Sequence, residues 1–139
     1  MNGRGIRGTT PLHLALEKAG LEAGHALLNR GADIDAPDMF NDTALMYAAI
    51  NGHADSARML LERGAMIDAR GQFGNTPLHH AAEHGRTEVV RLLLEHGADA
   101  HVVHNQYDNT PSELASQNGH QEIVELLSGR DASSVKKVI

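Results

Sequence analysis

The phrase Thr10-Pro11-Leu12-His13-Leu14-Ala15 returns as Thr43-Ala44-Leu45-Met46-Tyr47-Ala48, Thr76-Pro77-Leu78-His79-His80-Ala81 and Thr110-Pro111-Ser112-Glu113-Leu114-Ala115. The leading threonines stand 33, 33 and 34 residues apart. A fixed period of that length marks one supersecondary unit copied and stacked, with each copy touching only its neighbours. Such an array presents a long, decorated surface and lacks the enclosed pocket on which most enzymes depend. Four units use nearly all of the 139 residues and leave no room for a second domain.

The third copy shows most plainly what one unit builds. Thr76 stands where a hydroxyl can cap an orphan backbone N–H, and Pro77 at the first helical position forfeits no hydrogen bond. Leu78, Ala81 and Ala82 fall on one helical face, and Gly85 is placed to stop that helix after two to three turns. A second helix from about Thr87 carries Val89, Val90, Leu92, Leu93 and Leu94 before His96-Gly97. Gly31-Ala32, Gly64-Ala65 and Gly97-Ala98 repeat the second stop, and Gly52, Gly85 and Gly119 the first. In copy one the first-stop position holds Ala19, with Gly20 and Gly24 nearby, so a different helix–helix turn is expected there. Helix pairs this short and one-sided are not stable alone, so stacking must supply the core.

Composition agrees with close-packed helices. The chain is 41% hydrophobic yet has no Trp, two Phe and two Tyr; small aliphatic side chains predominate. A net charge of −6 argues against phosphate-backbone binding. With no cysteine there is no disulfide, thiolate zinc site or cysteine nucleophile. Residues 1–10 lack an apolar signal core, and no stretch approaches the ~18 apolar residues of a membrane span, so a cytoplasmic location is expected.

The Thr-Pro-Leu-His-x-Ala phrase, the turns at Gly52-His53 and Gly119-His120, the run Glu88–Leu94 and the Gly-Ala-Asp endings closely resemble the ankyrin repeat, over about Gly8–Ser128. The resemblance implies an all-α repeat array, an α-solenoid of stacked helix-turn-helix units with β-hairpin-like connector fingers. It places one domain at 1–128, with repeats at about 5–37, 38–70, 71–104 and 105–128, and a tail at 129–139. Local departures are Ala44-Leu45-Met46 for Pro-Leu-His, Met66 for Asp, and an extra residue in Val102–His104. The polar Ser112, Glu113, Ser116, Gln117 and Asn118 read as the water-facing end of the array. Met1–Gly8 is too short for a full preceding unit.

Ten histidines raise the question of metal, and His80-Ala81-Ala82-Glu83-His84 spells a His-x-x-Glu-His zinc-hydrolase string. The repeat frame already accounts for that string, and catalytic zinc needs a third ligand in an enclosed site. A hydrolase using His80, Glu83 and His84 is therefore the weaker alternative, beside a structural segment of a longer repeat protein. No metal or cofactor is expected. His13 and His79 occupy a slot of the frame and are expected to hydrogen-bond near the helix start and its connectors. His25, His53 and His120 read as surface residues, while His101 and His104 lie in the connector that carries the insertion. Gly3-x-Gly5-x-x-Gly8 spells a dinucleotide fingerprint without the strand and Rossmann unit it requires.

The positions the frame leaves free are where binding belongs. They are the connector tips (Ile6-Arg7, Met39-Phe40, Gln72-Phe73 and Gln106-Tyr107) and the residues before each Thr (Thr9, Asp42, Asn75 and Asn109). Late in each first helix lie Glu17-Lys18, Ile50-Asn51, Glu83-His84 and Gln117-Asn118, with Leu14, Tyr47, His80 and Leu114 one turn earlier. Phe40, Phe73 and Tyr107 recur at one tip position, and Tyr47 falls in the inner groove. Aromatic anchors are typical interface hot spots. The expected function is thus a monomeric, non-catalytic adaptor-like module. It would bind another protein or peptide through its concave groove and aromatic finger tips, and neither nucleic acid nor membrane. The rival role for the rings is to staple adjacent repeats.

Overall fold

The structure, a computed structural model, describes residues 5–18, 20–100 and 105–129. Ala19, the insertion with His101 and His104, and all but the first residue of the expected tail lie outside the described residues. Among the described residues eight short α-helices form four pairs: α1 (Pro11–Glu17) and α2 (Leu21–Asn29), α3 (Ala44–Asn51) and α4 (Ala54–Glu62), α5 (Pro77–Glu83) and α6 (Thr87–Glu95), α7 (Pro111–Gln117) and α8 (Gln121–Leu127). First helices pack on first helices of adjacent pairs and second on second, giving two helical layers. Leu12, Leu16, Leu45, Ala48, Leu60, Leu78, Ala81, Val89, Leu93 and Ile123 form one continuous core between them. The array is all-α, and no described helix is long and apolar enough to cross a membrane.

Each first helix opens on its threonine. Thr10 and Thr76 accept the backbone N–H of His13 and His79, whose Nδ1 atoms accept the threonine N–H in return, both at 3.0 Å. An Nδ1 that accepts leaves the proton of the neutral ring on Nε2. That Nε2–H donates to the carbonyl of Asp42 at 2.8 Å and of Asn109 at 3.0 Å, so one side chain caps its own helix and ties it to the next connector. Both rings are buried. In copy four Glu113 replaces the histidine and closes the capping box with Oε1, 2.9 Å from the Thr110 N–H. Copy two does neither, because Met46 offers no oxygen or ring nitrogen to accept the Thr43 N–H and no N–H to donate onward, and the buried Thr43 hydroxyl lacks a hydrogen-bond partner among the described residues. There the Asp42 carboxylate accepts from the Gln72 N–H at 3.1 Å and makes the tie instead.

The connectors fold back as tight fingers closed by one backbone bond: Gly5 to Thr9, Asp38 to Asp42, Gly71 to Asn75 and Asn105 to Asn109. Two designs alternate. Fingers one and three begin with glycine and put both tip residues at positive φ, Arg7 and Gly8, then Phe73 and Gly74. Fingers two and four begin with Asp38 and Asn105, whose Oδ1 accepts two backbone N–H groups, and only Asn41 or Asp108 is left-handed. Gly71 has a steric reason to lack a side chain. A Cβ there would lie 2.2 Å from Asp42 Oδ1 and 2.6 Å from Met46 Sδ.

A third set of ties falls after the first helices of copies two to four. His53 Nε2, Arg86 Nε and His120 Nε2 donate to the carbonyls of Glu17, Ile50 and Glu83 in the preceding copy, at 2.9, 2.9 and 3.1 Å. His53 and His120 are therefore half-buried links between repeats, correcting their reading as surface residues; His25 is exposed as expected. The turn of two or three residues brings this position under the neighbouring helix end, where the last carbonyls need donors.

Removing the His79 ring should leave the Thr76 N–H and the Asn109 carbonyl without partners in a buried setting. His79→Ala is expected to cost about 2–4 kcal/mol in urea unfolding, whereas Glu113→Ala, on the more exposed box, should cost about 1 kcal/mol. Equal costs would show that the link to the next connector adds nothing to the cap.

Candidate functional site

The fingers and the first helices enclose an open groove of about 680 Å³. Two of its rows are set by the repeat. Phe40, Phe73 and Tyr107 line it from the finger tips, following Arg7 at the same position of finger one. Glu17, Ile50 and Glu83 line it from the ends of α1, α3 and α5, with Asn51 and His84 one residue further on. Tyr47, His80 and Leu114 form the floor between the rows. Leu14, the fourth residue of that register, is 45% exposed because no described helix covers it.

The three tip rings do not behave alike. Phe73 and Tyr107 have ring centroids 5.5 Å apart, tilted by 49°, so these two do staple neighbouring fingers. The Gln106 N–H donates to the Phe73 carbonyl at 2.8 Å beside them. Phe40 has no such ring contact among the described residues. All three remain partly open, at 38% for Phe40, 44% for Phe73 and 65% for Tyr107. Phe73 also sits at φ 58°, a left-handed conformation that costs a bulky residue about 1–2 kcal/mol. The ring pair and the finger-to-finger bond offset that strain.

Tyr47 belongs to the floor. It is 7% exposed, packs on the His13 ring at 4.8 Å between centroids, and donates its hydroxyl to Asp38 Oδ2 at 2.5 Å. Burial and this bond to a carboxylate push the phenol well above its usual range. Asp38 thus secures its own finger through Oδ1 and the groove floor through Oδ2. Sequence reasoning missed Asp38 and its counterpart Asn105, whose Nδ2 donates to Asn75 Oδ1 at 2.8 Å. The legible signal was the Gly–Asx alternation at the first finger residue. Asn75 and Asp42 face inward and are buried, while Asn109 accepts from Gln117 Nε2 at 3.3 Å. Gln72 lines the groove, whereas Met39, Gln106, Gln117 and Asn118 are exposed outside its lining.

Asp42 and His80 form the electrostatic centre. His80 Nε2 lies 3.9 Å from Asp42 Oδ1, and that nitrogen has no hydrogen-bond partner among the described residues. Burial first, then His84 and His79 nearby, lower the His80 pKa to about 4, so the ring is neutral at pH 7. Burial first, with Asp38 adding to it, raises the Asp42 carboxyl above its ordinary range, while the Gln72 N–H, His13 and Arg7 pull the other way. His84 turns its Nδ1 to the His80 carbonyl at 3.0 Å, and the two rings stand 6.4 Å apart. Among the described residues no three His, Asp or Glu side chains converge as a metal centre requires, so the His-x-x-Glu-His string supplies two imidazoles without a third ligand.

Paired helices in two layers, with hairpin fingers over one face, define a helical repeat solenoid with an open groove. A family model described as ankyrin repeats (3 copies) matches residues 1–71 and 67–137, and the chain belongs to the ankyrin-repeat family. Ankyrin repeats are generally protein–protein interaction modules, and the family is typically non-enzymatic. Comparison with curated proteins gives no match.

His80 predicts a measurable acid sensitivity. The unfolded chain protonates this ring near its ordinary value of 6.5 and the fold only near about 4, so the unfolded state binds more protons in between. Stability should fall as pH drops through that window, by up to about 3 kcal/mol from this residue. Asp42 works in the opposite sense just above 3.8, because its raised pKa lets the fold take up that proton first. His80→Leu borrows the residue that copies one and four carry at this position. It should leave stability at pH 7 unchanged or higher and flatten the decline between pH 6.5 and 4 in urea midpoints. An unaltered pH profile would mean the ring protonates freely in the fold.

Proposed function

We propose that this chain is a non-catalytic binding module that holds a protein or peptide in the groove between its fingers and first helices. The observation that carries the reading is the row of partly open aromatic rings, Phe40, Phe73 and Tyr107, along one wall of an open groove. Large rings on fingers stiffened by backbone and Asx bonds lose little entropy on binding, which is what an interface anchor requires. Phe40 is the strongest anchor, since it is half-open and engages no neighbouring ring among the described residues. Phe73 and Tyr107 serve both roles, holding adjacent fingers together and presenting their outer faces. The four repeats act as one domain, and Ile50 supplies an apolar contact on the opposite wall.

Affinity capture from the source cell, followed by calorimetry with the purified captured protein, tests this. Phe40→Ala should change stability by less than ~1 kcal/mol and weaken binding by ~2 kcal/mol or more. Ile50→Asp should weaken it at least as much. Binding that survives both changes but is lost on altering Arg58 and Arg91 of the outer helices would move the contact surface to the other face.

A further inference from the structure

The wall opposite the aromatic row has a charge pattern of its own. Glu17, Ile50 and Glu83 are the same residue of three successive repeats, each the last or next-to-last of its helix. Their carbonyls are clamped in turn by His53, Arg86 and His120, which fixes the row relative to the stack. The Glu17 and Glu83 carboxylates have no ion-pair or hydrogen-bond partner among the described residues. Asp38 and Asp42 add two more carboxylates to the lining, against Arg7 as the one Lys or Arg described there. Between the carboxylates lies His80, 8% exposed, lining the groove with an unpartnered Nε2 close to Asp42. A buried ring nitrogen without a partner is costly, and four carboxylates against one guanidinium leave the lining net negative. Together they favour a polar, cationic occupant.

Building on the groove reading above, we propose that the occupant is an extended segment of a partner protein with two basic side chains flanking an apolar one. The bases meet Glu17 and Glu83, and the apolar group meets Ile50 and the aromatic wall. Adjacent helices pack at up to ~10 Å, so the two carboxylates are about 20 Å apart along the stack. An extended polyproline II chain advances ~3.1 Å per residue and repeats its facing every three residues, so two bases about six residues apart and an apolar residue midway all face this wall. The pattern is Lys/Arg-x-x-apolar-x-x-Lys/Arg. The aromatic faces across the groove add cation–π attraction for the same charges.

Random dodecapeptides displayed on phage and selected against the full chain supply the probe, and the most enriched peptide is then synthesised for calorimetry. Enrichment of the spaced basic–apolar–basic pattern is expected. The Glu17→Gln/Glu83→Gln double variant should weaken the peptide about tenfold, with most of the loss masked at high salt. Urea midpoints check that both glutamines are tolerated by the fold. Acidic or neutral peptides, bases at other spacings, or an affinity unchanged in the double variant would overturn the proposal. If Ile50→Asp abolishes binding while the double variant does not, the groove reading stands and only the charge pattern fails. No enrichment, or peptides indifferent to Ile50→Asp, would overturn both.

Discussion

A single hydrogen-bond arrangement holds this array in register: a threonine and histidine cap each other at the start of a helix while the far side of the ring grips the next connector. Helices of seven residues, such as α1 and α5, cannot persist on intrinsic propensity alone. The capping box satisfies orphan donors at one end, and the Nε2–H carries the tie across the repeat boundary in the same side chain. The ring's tautomer follows from these bonds, so the histidine acts here as a fixed neutral linker with no free nitrogen. That assignment removes His13 and His79 from any catalytic account.

Where the arrangement is lost, the chain compensates locally. Met46 interrupts the histidine series in copy two, and Asp42 there reaches Gln72 while Gly71 makes the space. The Asp42 carboxylate that makes this bond also lies in the groove next to His80. The tie and the electrostatics of the candidate site thus share one side chain. The finger tips combine roles in a similar way. The strained Phe73 backbone is held by a ring contact and a backbone bond to the neighbouring finger, leaving the outer ring face to solvent.

Much of the candidate groove was legible in the sequence. Subtracting the frame left Phe40, Tyr47, Ile50, Asn51, Phe73, His80, Glu83, His84 and Tyr107, and the fold brings all of them to one groove. Four further positions, Met39, Gln106, Gln117 and Asn118, shared the same numbering logic yet lie outside its lining. Repeat position defines a height along each unit, but the direction of an exposed side chain depends on the neighbouring finger. Asp38 and Asn105 were missed for the complementary reason. As turn formers they are unremarkable in sequence, and their second function exists only once Tyr47 and Asn75 lie beside them.

The amino-acid sequence by itself determined the number of units, the helix limits and the caps, because these rest on interactions within a few residues: hydroxyl to N–H at i+3, proline at the first turn, glycine at positive φ. It also marked which apolar faces must be covered, since neither helix of a pair can bury its own. The tertiary structure alone decided which groups meet across a repeat of about 33 residues. His53 and His120 became links, Phe73 and Tyr107 became a pair, and His80 became a buried, uncharged ring beside a carboxylate. Such contacts depend on how far each helix pair is displaced and rotated on the last. That geometry is set jointly by all the packed side chains at the interface, so no short run of residues encodes it.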